Sequence, residues 1–171
     1  SGSARLPRTS SLGRIFDAAA FLLGLCTVNR YEAEAAMTLE ATARRCPQAD
    51  PLTVTVTQEA ESGILMDFRP ALLEIAVRRR AGYEVPALAR AFHEAVARML
   101  AEAATRAAEQ TGLKRVVLSG GCWANSLLSG RVFELLRAKR LAVFSHRQVP
   151  AGDGGLALGQ AVVAARRRMK G

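Results

Sequence analysis

Apolar residues recur at helical spacing over most of this chain and alternate at strand spacing in one stretch. The run Gly13 to Leu25 places Ile15, Phe16, Ala19, Leu22 and Leu23 on one face, and Thr9, Ser10 and Ser11 before it can cap a helix. A second, alanine-rich helix is predicted from about Glu32 to Arg45, ended by Pro47 and Pro51. Leu52 to Thr57 alternates strictly and carries β-branched residues, which predicts a strand. Ser62-Gly63 then turns the chain into Ile64–Phe68, giving a hairpin. Arg69-Pro70 opens a helix to about Arg80, which Gly82 breaks. Val85-Pro86 starts a long helix to about Gln110, closed by Gly112 at the position after its last turn.

The next stretch organises the chain. Val116, Val117 and Leu118 form a short apolar run that predicts a buried parallel strand. Ser119-Gly120-Gly121 follows as a tight turn, and Asn125 stands before a helix, 126–137, with Leu127, Leu128, Val132, Leu135 and Leu136 inward. Leu141–Phe144 is a second parallel-strand candidate, so 115–144 reads as a βαβ unit and the fold class as α/β. The loop Pro150–Gly155 and a helix from about Leu156 to Arg168 close the pattern.

A strand, a glycine turn and a helix start form a common arrangement for holding a phosphate on backbone N–H groups and a helix dipole. An ordinary strand-to-helix turn has the same spacing. Neither a Walker loop nor a Rossmann fingerprint is present, since the Gly-Lys-Ser/Thr ending and the third glycine are missing. Asp153, between Gly152 and Gly154-Gly155, is either the cap of the last helix or a metal ligand. Both glycine loops follow strands of the same unit, at the end where open α/β sheets place ligands.

Composition narrows the classes. With 171 residues, half of them apolar, the chain suits one folded domain. No apolar run is long enough to span a bilayer, and no secretory signal opens the sequence. Cys26, Cys46 and Cys122 are odd in number and widely spaced, which argues against a disulfide framework or zinc ribbon and fits a cytoplasmic setting. His93 and His146 are the only histidines, so a metal bound here would draw ligands from elsewhere; His93, inside a helix, reads as a core or surface residue. The net charge of +9 raises a nucleic-acid reading, but Arg78-Arg79-Arg80 and Arg166-Arg167-Arg168 each end a predicted helix, where cations complement the dipole. The few aromatics are not interleaved with them, so nucleic-acid binding is not the expected role.

Ser119-Gly-Gly-Cys-Trp-Ala-Asn125 and Asp153-Gly-Gly-Leu-Ala-Leu-Gly-Gln160 closely resemble the last two motifs of HypF, the hydrogenase maturation carbamoyltransferase family. Thr9-Ser-Ser-Leu-Gly-Arg-Ile-Phe-Asp-Ala18, Leu22-Leu-Gly-Leu25, Tyr31-Glu32, Ala35-Ala36-Met37 and Phe92-His93 are similar to its C-terminal lobe, in the same order. The tRNA threonylcarbamoyl transferase family, which shares the actin-like ATPase fold, is similar to a lesser degree. The resemblance implies one actin-like ATPase lobe (ASKHA, ribonuclease H-like), helix-rich with a small mixed sheet, over 9–171. Residues 1–8 are expected to be disordered or tag-derived.

The same resemblance implies transfer of a carbamoyl group from carbamoyl adenylate, made from carbamoyl phosphate and ATP, to the C-terminal cysteine of HypE, a step toward the cyanide ligands of nickel–iron hydrogenase. By motif, Asp17 and Asn125 would contact the nucleotide, Gly120 and Gly121 would bring backbone against the adenylate, and Asp153 would be one ligand of a divalent metal shared with an N-terminal lobe. The attacking thiolate belongs to the partner, so Cys122 need not be a nucleophile. The family's His-x-x-x-His metal pair has no counterpart here, Trp123 replaces a more usual phenylalanine, and Ala33 stands where glycine is common. The lobe alone is therefore expected to be inactive. Alternatives are a carbamoyltransferase lobe acting on tRNA or a small molecule, and a non-catalytic module that pairs through an exposed face with a separate lobe, with HypE or with its own copy.

Overall fold

The computed structural model describes residues 9–59 and 63–169, so the expectation for residues 1–8 lies outside the described residues. Six helices and four strands follow in the order α1 (Leu12–Leu22), α2 (Glu34–Ala43), β1 (Thr55–Glu59), β2 (Gly63–Asp67), α3 (Arg69–Arg80), α4 (Val85–Thr111), β3 (Arg115–Leu118), α5 (Ser126–Ala138), β4 (Ala142–Ser145) and α6 (Leu156–Arg168). Helix α4 is the spine. Leu88, Phe92, Val96 and Met99 are buried along it, and α1, α2, α3 and α5 pack around it through Phe16, Leu39, Ile75, Leu128 and Leu136. Phe16 meets Phe92 edge to face, ring centres 5.1 Å apart, a favoured aromatic geometry.

Several boundaries differ from the sequence reading for identifiable reasons. Helix α1 ends at Leu22 because Gly24 takes φ 72°, with Leu25 N–H donating to Ala20 C=O in a Schellman-type closure. Helix α2 starts at Glu34, two residues late, because Ala33 adopts the left-handed conformation at φ 62°. Asn29 Oδ1 then accepts from Ala35 N–H, and Glu34 turns back to Arg30 N–H. The alternation of Leu52, Val54 and Val56 predicts the inward face correctly, but the strand begins only at Thr55. Leu52 N–H is spent on Ala91 C=O and Thr53 N–H on the Glu74 carboxylate, so neither can enter a ladder.

The expected mixed sheet is instead two separate two-stranded sheets among the described residues. β1 pairs antiparallel with β2, while β3 pairs parallel with β4 in the register Val116↔Val143 and Val117↔Phe144. The βαβ unit of the sequence reading is therefore present, with α5 as its crossover. Its strands are not buried on both faces as predicted. Leu118 turns inward, but Val117 is 68 % and Phe144 51 % exposed, because no described element covers their side of the sheet. Helix α6 is exposed along its whole length, Leu156, Leu158, Val162 and Val163 included. Among the described residues no helix is long and apolar enough to cross a membrane.

Candidate functional site

The two glycine loops meet. Gly120 N–H donates to Ala151 C=O at 2.7 Å, and the backbone of Gly152 lies against that of Gly121. Gly120 takes φ 108°, a conformation open to glycine and strained for any side chain. At Gly155 a Cβ would collide with Pro150 C=O, so the loop that carries Asp153 can only close with glycine there. The result is a cavity of about 910 Å³ at the C-terminal ends of β3 and β4. Ser119, Gly120 and His146 form one wall, Asp153 stands on the loop, and Gln160 and Arg167 line it from α6.

The start of α5 is not free for a phosphate, which corrects the opening inference from sequence. Asn125 Oδ1 accepts from Leu128 N–H at 2.9 Å. The Glu40 carboxylate, from α2, accepts from Ser126 N–H at 3.1 Å, Ser126 Oγ–H at 2.9 Å and Leu127 N–H at 3.2 Å. Arg44 pairs with the same carboxylate and reaches Ser126 Oγ. Burial opposes the charge on Glu40, but the hydrogen bonds from Arg44, Ser126 and Leu127 together outweigh it and hold its pKa below 4.5. The protein thus supplies its own anion to this helix end.

The five residues implied by the resemblance fall into three places. Gly120 and Asp153 line the large cavity, with Gly121 at its rear against Gly152. Asn125 is half-buried behind the turn, its Nδ2 3.0 Å from Nε2 of His93. It keeps one amide hydrogen and one carbonyl lone pair for a ligand. Asp17 lines a different hollow of about 320 Å³, with Arg14, Phe21, Cys26 and Asn29. Its Oδ2 is withdrawn from solvent and lies 2.9 Å from Arg14 Nη1, an ion pair without an aligned hydrogen bond.

His93 is buried, with Nδ1 2.8 Å from Ala89 C=O. Burial pushes its pKa down, with the Ala89 carbonyl acting in the opposite sense, so the ring is held neutral. Nδ1 then carries the proton and Nε2 accepts from Asn125. Cys122 sits in a 3₁₀ turn, Gly121–Ala124. Burial pushes its thiol up, and N–H groups of its own backbone and of Gly13 offset this only in part. A protonated, half-buried thiol is a poor nucleophile.

Asp153 fits a metal only as one ligand of several. It is exposed beside glycines, so nothing blocks its carboxylate, yet no three His, Cys, Asp or Glu side chains converge anywhere among the described residues. Two contributors were missed from sequence. His146 Nε2 lies 3.0 Å from Ser119 Oγ at the cavity wall. The only sequence signal was their placement at the ends of the two parallel strands. Glu40 gave no local signal, because its partner helix lies 86 residues further along the chain.

In this α/β fold a parallel βαβ unit carries two glycine loops that close on one cavity. The family model described as carbamoyltransferase, Kae1-like domain, second subdomain, matches residues 2–160, and the chain belongs to that family. Its relatives include HypF proteins. Carbamoyltransferase HypF of Rhizobium leguminosarum bv. viciae is 40 % identical over 161 residues, covering 94 % of this chain and 20 % of that protein. A carbamoyltransferase HypF homolog of Cupriavidus necator is 42 % identical over 165 residues, covering 94 % of this chain and 42 % of that one. Full-length HypF crystallised in the phosphate- and nucleotide-bound form superposes with a TM-score of 0.86 at 33 % identity, over 92 % of this chain and 20 % of that one. The chain therefore spans about a fifth to two fifths of the length of the curated relatives named here.

Proposed function

We propose that this subdomain forms one half of the site at which a HypF-type carbamoyltransferase moves a carbamoyl group from carbamoyl adenylate to the C-terminal cysteine of HypE. The observation that carries the reading is the shared cavity of Gly120 and Asp153, in a fold that matches a nucleotide-bound HypF. The chain is read as one lobe of an actin-like pair, and the exposed Val117, Phe144, Val162 and Val163 as apolar surface that the N-terminal lobe covers.

Carbamoyl adenylate already carries a good leaving group, so the protein has mainly to position it and stabilise charge on the phosphate. Gly120 and Gly121 let the backbone approach the adenylate closely. Asn125 offers its remaining amide hydrogen, and Asp17, held by Arg14, offers carboxylate oxygen to ribose hydroxyls. Asp153 would hold one position of a divalent metal whose other ligands come from the N-terminal lobe; when bound, that metal would neutralise phosphate charge. Nucleotide binding by the isolated subdomain is weak on this reading, since half of the walls are absent.

Calorimetric titration with ATP, with and without divalent metal, tests the assignment. In a complete enzyme carrying this subdomain, Gly120→Val should abolish nucleotide binding by filling the approach. Unchanged binding would place the nucleotide elsewhere.

A further inference from the structure

The ionisable side chains that line the large cavity are His146, Asp153 and Arg167. Transfer to a thiol releases a proton, and these three are unequal as acceptors. Arginine stays protonated, and Asp153 is assigned above to a metal. An imidazole matches neutral conditions. The other histidine, His93, is buried with both ring nitrogens engaged. His146 is exposed and its Nε2 lies 3.0 Å from Ser119 Oγ, the residue directly before Gly120.

We propose that Ser119 and His146 form a proton relay for the acceptor thiol, with Ser119 Oγ touching the sulfur and His146 Nε2 as the final acceptor. The inference rests on the carbamoyl-transfer reading above and supplies the base it lacks. As sulfur attacks the carbamoyl carbon, the C–S bond forms and the bond from that carbon to the adenylate phosphate oxygen breaks, its electron pair leaving with AMP. The S–H proton passes to Ser119 Oγ while the serine's own proton passes to Nε2. The imidazolium then returns the proton to solvent, which the exposure of His146 permits.

The test uses a complete enzyme carrying this subdomain, with two assays. One is carbamoyl-phosphate-dependent exchange of pyrophosphate into ATP, which reads adenylate formation. The other is carbamoylation of the HypE C-terminal cysteine. His146→Asn keeps a hydrogen-bond partner for Ser119 but accepts no proton, and His146→Gly opens room for added imidazole. The expected result is a kcat for transfer lower by about 10²-fold or more in both, far beyond any loss of exchange, and partial recovery of the glycine variant by imidazole. Ser119→Ala should lose transfer to a similar extent, again well beyond any loss of exchange. Transfer by His146→Asn at the wild-type rate overturns the relay, as does an equal loss of exchange and transfer with no rescue by imidazole. A wild-type enzyme that forms the adenylate but carbamoylates no thiol removes the proposed function itself, and the relay with it.

Discussion

Asn125 Nδ2 donates to His93 Nε2 at 3.0 Å, tying the residue that caps α5 to the buried centre of α4. The same side chain accepts from Leu128 N–H, so Asn125 has a structural task whatever it does for a ligand. Asn125→Ala should therefore lose about 1–2 kcal/mol of stability by removing the cap and the partner of a buried nitrogen. Chemical denaturation measures it. A fall in nucleotide binding by that variant reports fold as well as contact.

His93 makes stability depend on pH. Its folded pKa is depressed by burial from 6.5, so below that value the unfolded chain takes up a proton that the folded ring resists. Stability should hold above pH 6.5 and decline as pH falls from there through the folded value. Thermal melts across that window should show a shallower slope for His93→Leu, along with a general loss of about 1–2 kcal/mol from the stranded Asn125 amide.

Glu40→Ala should cost about 1–2 kcal/mol, because Ser126 and Leu127 N–H groups and Arg44 lose their shared acceptor. The folded pKa lies below 4.5, so the wild-type advantage is complete above that pH and disappears as pH falls through the folded value. Denaturant midpoints of both proteins should therefore converge in acid.

Most helix positions are legible because burial sets a 3.6-residue period, whereas α6, exposed throughout, is bounded by the glycines before it and the arginines in its last turn. Strand pairing was legible too, but the point where a ladder starts was less so. The β-branched run from Leu52 looked uniform, and only tertiary partners, Ala91 and Glu74, decide where its ladder starts. The same holds at the site. The Gly120 and Asp153 loops could be placed together from their positions after parallel strands, whereas the occupation of the α5 start by Glu40 could not. That contact joins helices with no shared local pattern, and it redirects the phosphate reading from the helix end to the loops.

Ala33 stands where glycine is common in the family, and its φ of 62° shows why glycine fits. A left-handed alanine costs about 1–2 kcal/mol, and the greater unfolded-state freedom of glycine returns about 0.4–1 kcal/mol of that. Ala33→Gly should thus raise stability by about 0.5–1 kcal/mol. A lower melting temperature would mean that the loop relaxes around alanine at little cost.

Asp153 separates structural from functional roles because it is exposed and caps no helix with its side chain. Asp153→Ala should leave stability within about 0.5 kcal/mol, as for most surface substitutions. In a complete enzyme carrying this subdomain it should weaken metal-dependent nucleotide binding by at least about tenfold, the lower range for loss of even an outer partner of a metal. Asp153→Asn, which keeps the shape and removes the charge, should resemble alanine if charge on a metal is what matters. Calorimetry with and without divalent metal distinguishes the cases: a loss seen equally in both conditions would assign Asp153 to the loop's shape, and no loss in either would remove it from the site.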